Sequence, residues 1–141
     1  MEKQAVPVSS KEKVVEALRV ALTKKNAIIF AYLHGSYLDG VLYNDIDVAI
    51  YLDQSKIDRE KQDDYCDRLN DCLSELLRFV VDVRIMNHAP AGFQHSVYKH
   101  GQLLLCRDDR LRTDLVEKTS MDVMLFHELS MENLRDMVYH G

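Results

Sequence analysis

Apolar and polar positions along the chain follow two rhythms, one helical and one strictly alternating, and they trade places several times. Val14, Leu18, Ala21 and Leu22 lie on one helical stripe, and Ser9 followed three residues on by Glu12 makes a capping box ahead of it. This predicts a first helix from about Ser10 to Lys24. "AIIFAYL", residues 27–33, is apolar on both faces and stops at His34-Gly35, as a central strand covered on two sides would. "DIDVAIYL" alternates instead: Ile46, Val48, Ile50 and Leu52 take one face, and Asp45, Asp47, Ala49 and Tyr51 the other. The polar segment from Asp53 onward predicts a second helix, with Tyr65, Leu69, Cys72, Leu73, Leu76 and Leu77 on its stripe.

"FVVDVRIM" repeats the alternation, with Phe79, Val81, Val83 and Ile85 opposite Val80, Asp82 and Arg84. After Pro90 a short helix through about Lys99 reaches Gly101, and "QLLLC" predicts a small fourth strand. The tail from Leu111 to Tyr139 reads as helical, with Leu111, Leu115 and Val116 on one stripe. Its dense block of Met121, Val123, Met124, Leu125 and Phe126 signals core more often than a partner groove, although excess apolar surface there would favour docking a partner. These elements predict an α+β fold: a small mixed sheet, helices packed on one face, and the carboxylates on the open face. Residues 1–141 are expected to form a single domain with a C-terminal helical region at about 109–139.

Composition narrows what such a domain does. The 141 residues carry a formal net charge of -5, so there is no basic field to hold nucleic acid nonspecifically, and no stable nucleic-acid complex is expected. Cys66, Cys72 and Cys106 are odd in number and lack CxxC spacing, which fits structural thiols in a reducing, cytoplasmic compartment. No apolar signal core or membrane-length segment is present, and no membrane partner is expected.

The carboxylates supply the chemistry. Two aspartates two residues apart on a strand project from one face about 7 Å apart, and Asp82 on an adjacent strand would converge with them. Such a cluster repels itself unless cations fill it, and hard oxygen donors suit Mg²⁺ or Mn²⁺ carrying nucleotide phosphates. Two ions about 3.5–4 Å apart can activate an attacking hydroxyl and stabilise leaving pyrophosphate. Gly35 lets the backbone turn and approach closely, and the N–H and hydroxyl of Ser36 can donate to phosphate oxygens.

"HGSYLDGVLYNDIDVAIYL" followed by "VVDVRIM" resembles the core of the DNA polymerase β type nucleotidyltransferase superfamily. The small size is similar to the minimal nucleotidyltransferases, and within them to the MntA-like antitoxins encoded beside HEPN-domain ribonuclease toxins. The resemblance spans roughly residues 10–138. It implies that Gly35 and Ser36 grip the triphosphate, that Asp45 and Asp47 are the paired metal ligands, and that Asp82 is the third, acceptor-activating carboxylate. It also implies two Mg²⁺ ions, ATP as substrate, and transfer of AMP to a tyrosine hydroxyl of a HEPN toxin that the protein also binds. Two features depart from the family: eight residues separate Gly35-Ser36 from Asp45 where ten are usual, and Asp39 stands where many members carry Arg.

Blander readings stand beside these. A lone Asp-x-Asp is common on solvent-facing strands, and Gly-Ser can merely end a strand. Arg84 is expected to pair with a carboxylate before it touches phosphate. His34 reads as a partly exposed strand-end residue, and His88, His95 and His100 share no metal-ligand spacing. Rival functions are an antitoxin that only masks its toxin, its nucleotidyltransferase site vestigial, and transfer to a small molecule or to RNA.

Overall fold

Val15, Leu18 and Leu22, one stripe of the first helical segment, are buried on α1 (Lys11–Thr23). The fold is taken from a computed structural model that describes residues 11–35 and 46–140; Ser9 of the expected capping box lies outside the described residues. The alternating and doubly apolar segments form β1 (Ile28–His34), β2 (Ile46–Leu52), β3 (Val81–Ile85) and β4 (Gln102–Cys106). Between and after them run α2 (Arg59–Leu77), α3 (Ala91–His100) and α4 (Asp109–His140).

The second helix starts later than its polar sequence suggests. The Asp53 carboxylate accepts bonds from the Ser55 N–H (3.0 Å) and hydroxyl (2.6 Å), closing a local turn that competes with helix. Helix geometry resumes only after Asp58, whose backbone is extended.

The strands order as β3-β2-β1-β4 in one mixed sheet. β1 pairs antiparallel with β2 and β4, while β2 and β3 run parallel. A parallel neighbour needs a crossover, which α2 supplies. The main core lies between the sheet and α1 and α2, where Leu18, Leu22 and Leu73 meet Leu33, Val48, Ile50 and Val81. The alternation read from β2 and β3 therefore holds: Ile46, Val48, Ile50 and Leu52 all face that core.

The opposite face carries a second, smaller cluster that explains why β1 is apolar on both sides. Phe30, Tyr32, Ala49, Met86 and Val97 are buried there, with Phe93, Tyr98 and Leu115 packed against them from α3 and the first turns of α4. Phe30 stacks on Tyr51 at 4.9 Å, and Arg112 of α4 donates to the Tyr32 hydroxyl at 3.0 Å. Two helices thus pack on one face as expected, and α3 with the start of α4 partly covers the other.

The expectation of a buried apolar block in the tail is overturned. Met121, Met124, Leu125 and Phe126 are 57 to 73% exposed. Length is the reason: a 32-residue helix runs about 48 Å, whereas a seven-residue strand spans about 24 Å, so α4 outruns the sheet. Thr119 is the last buried residue on it. Among the described residues no helix is long and apolar enough to cross a membrane.

Candidate active site

Strand register assembles the site. His34 of β1 is the ladder partner of Asp47, and Asp47 is the ladder partner of Asp82 across the parallel β2–β3 pair. Three chemically active side chains thus form one row across three adjacent strands, about 4.8 Å per step. The sequence-predicted Asp47 and Asp82 are brought side by side. Ser36, Asp39 and Asp45 lie outside the described residues.

Gly35 ends β1 with φ of +83°, a left-handed conformation that favours glycine. A Cβ built there would collide with Asp47 Oδ2, and would sit 3.2 Å from its Cγ. The turn is therefore glycine for two reasons, backbone hand and room for the carboxylate. Gly35→Ala is expected to cost about 1–3 kcal/mol of stability and to displace Asp47, lowering any activity of the site at least roughly tenfold. Thermal melting and a transfer assay check this; a variant matching the parent in both would remove Gly35 from the site.

Arg84 donates through Nε to Asp82 Oδ2 at 3.3 Å, as the carboxylate reading of that arginine expected. With side chains 63% and 41% exposed, this pair contributes at most about 1 kcal/mol and can be exchanged readily. The Arg84 guanidinium also lies 5.9 Å from the centre of the Phe93 ring. Phe93 in turn sits 5.5 Å from the His34 ring. That aromatic was missed in the sequence because nothing but its place after Pro90, in the first turn of α3, marks it.

His34 is more enclosed than its strand-end position suggested. Its Nε2 is buried without a hydrogen-bond partner among the described residues. Burial chiefly, then the Arg84 charge, holds its imidazole below the usual histidine range, with Asp82 opposing. The ring is consequently neutral near pH 7. Cys66 fits its structural reading: the thiol donates to the Val83 carbonyl at 3.0 Å, and burial pushes it up to about 11.

Adjacent carboxylates beside a glycine turn give hard oxygen donors in the space a Cβ would otherwise fill, which fits a divalent cation. Among the described residues no group of three or more His, Cys, Asp or Glu is arranged to hold a metal, Asp45 being outside them. The family described as polymerase beta, nucleotidyltransferase, matches residues 16–110, which run from within α1 past the end of β4 and include the whole row.

The chain belongs to that nucleotidyltransferase family. Solved structures show the same fold. A chain of the tri-AMPylated Shewanella oneidensis HEPN toxin in complex with MNT antitoxin matches at a TM-score of 0.61 and 20% identity, covering 90% of this chain and 94% of that one. A MntA–HepT toxin–antitoxin structure matches at 0.60 and 19%, covering 90% and 95%. A toxin–antitoxin structure with AMP-PNP matches at 0.66 and 19%, covering 86% and 98%. No curated protein gives a significant match. At these identities the nucleotidyltransferase fold is what the structures share with this chain.

Proposed function

We propose that this protein is an antitoxin that neutralises a HEPN-domain ribonuclease toxin by transferring AMP from ATP to a toxin tyrosine, and by binding the toxin. The observation that carries the catalytic half is the register that sets Asp47 beside Asp82, against a glycine turn, in a chain of the nucleotidyltransferase family. The binding half is supported by the exposed apolar length of α4 and by the solved toxin–antitoxin complexes that share the fold, one with AMPylated toxin and one with AMP-PNP.

In this reading Asp45 and Asp47 hold Mg²⁺, as two ions with Asp82 contributing, and Gly35 and Ser36 hold the triphosphate. Bound Mg²⁺ would supply charge neutralisation at the phosphates and at the leaving pyrophosphate. The tyrosine oxygen forms a bond to the α-phosphorus of ATP, the bond from that phosphorus to the bridging oxygen breaks, and pyrophosphate leaves. In the same reading Asp82 takes the hydroxyl proton once Arg84 gives up its 3.3 Å contact. Three free cysteines and the acidic charge fit a cytoplasmic site of action.

The test is covalent against non-covalent neutralisation. Toxin incubated with this protein, ATP and Mg²⁺ is expected to gain one or more AMP units of mass and to stay inactive after repurification; with EDTA it gains none. Masking alone obeys mass action, so protection would vanish on separation. An unchanged toxin mass together with full inhibition by the Asp45, Asp47 double variant would end the enzymatic half.

A further inference from the structure

β3 is an edge strand, and α2 closes most of that edge with side chains. The outward N–H of Val81 donates to Ser74 Oγ at 3.0 Å, and the Val81 carbonyl accepts from the same hydroxyl at 3.4 Å. One step along, the Val83 N–H donates to Asn70 Oδ1 at 2.5 Å, and its carbonyl accepts from the Cys66 thiol at 3.0 Å. The next outward-facing pair belongs to Ile85, because the neighbouring even-numbered positions face β2: Met86 N–H bonds the Ile50 carbonyl at 2.8 Å. There the closing side chains stop. Among the described residues nothing bonds the outward N–H and C=O of Ile85.

At that point a cavity of about 400 Å³ opens between β3, α2 and the loop after β3. Its rim carries Arg59, Arg84 and His88 against one carboxylate, Asp63. Arg84 is shared: it lines the cavity and holds Asp82. Ile85 stands three residues beyond Asp82 on one strand, about 10 Å away.

A bare strand-edge donor and acceptor beside a roomy cavity is the arrangement that captures an extended chain. We propose that this open end of β3 docks the acceptor segment: an extended, acidic stretch of polypeptide that pairs its backbone with Ile85 and carries the acceptor hydroxyl toward Asp82. The inference deepens the transferase reading above and rests on it for the hydroxyl's fate. Side chains of an added strand alternate between faces, so every second residue of the segment comes to the side that bears Asp82 and Arg84. An acidic residue in the segment gives Arg84 a new partner, which frees Asp82 for the acceptor proton. Pairing begins only at Ile85, since α2 already occupies the edge at Val81 and Val83, so the segment has one register.

The experiment uses two variants and a HEPN-domain toxin of the kind named in the proposed function. Ile85→Pro deletes the free N–H without removing a ladder bond, and Arg59→Glu reverses charge on the exposed start of α2. Each is expected to raise KM for the toxin roughly tenfold or more while ATP affinity, read by calorimetry, stays at the parent value. Independently, the Ile85 amide is expected to exchange with solvent quickly in the free protein and slowly in the toxin complex. Unchanged KM in both variants with an unprotected Ile85 overturns the dock and leaves the transferase reading standing. Protection of Ile85 without any AMP transfer supports the dock and removes the chemistry; an unprotected Ile85 and an unmodified toxin overturn both.

Discussion

Asp47→Asn is expected to lower nucleotidyl transfer by about three orders of magnitude and to leave the melting temperature unchanged or slightly raised. Asparagine keeps the shape of the side chain and can still hydrogen-bond, so the substitution removes charge with little loss of packing. What disappears is an anionic oxygen next to Asp82, and metal-assisted charge stabilisation of several kcal/mol corresponds to rate factors of this size. What is relieved is part of the repulsion between neighbouring carboxylates, about 1–3 kcal/mol at about 5 Å before compensation, which the Arg84 contact with Asp82 already reduces. The two effects have opposite signs on activity and stability, which makes the pair of measurements decisive. A transfer assay and a thermal melt on the same preparation check it. Full activity would remove Asp47 from the machinery, and a melt several degrees lower would make it a structural residue.

The second large effect is on association. Replacing Phe126 and Leu134 by serine is expected to weaken the toxin complex at least about a hundredfold, because buried aromatic and aliphatic anchors at the centre of an interface each account for about 2 kcal/mol or more. In the isolated chain these side chains are 73% and 54% exposed, so its own melting temperature should not move. Over Met121 to Phe126 the helix is apolar on nearly all sides, and beyond that it thins to Leu129, Met131, Leu134, Met137 and Val138. A helix of that kind is stable when other surfaces cover it. Calorimetry with toxin and sedimentation of the chain alone separate the alternatives. Unchanged toxin affinity together with loss of a self-associated form would assign α4 to a second copy of this chain.

The carboxylate face was legible because strands have a period of two: once Ile46, Val48, Ile50 and Leu52 are core, Asp47 must point the other way. Asp82 followed from the same rule on the next alternating segment. That Asp82 would converge with Asp47 was legible too, but the place of His34 in the row was not, since the register of β1 against β2 is set by long-range packing. The double apolarity of β1 was read correctly as cover on two sides, but the cover itself comes from α3 and the first turns of α4, whose short stripes carry little signal. The tail misled because periodicity reports that a face must be covered and says nothing of whose side chains cover it. Met121, Met124 and Phe126 look in sequence like any core block; only the mismatch between a 32-residue helix and short strands exposes them.

That mismatch bears on how long the protein lasts. From Met121 to Val138 no residue is buried, so about 27 Å of α4 is held by its own backbone bonds and by little else. Such a segment opens locally at small cost, and opened backbone with large apolar side chains is what degradative proteases cut first. Covered by a partner, the same stretch is no longer accessible. Free copies would then be cleared faster than bound ones, and the amount of this protein in a cell would track the supply of the partner that shelters it.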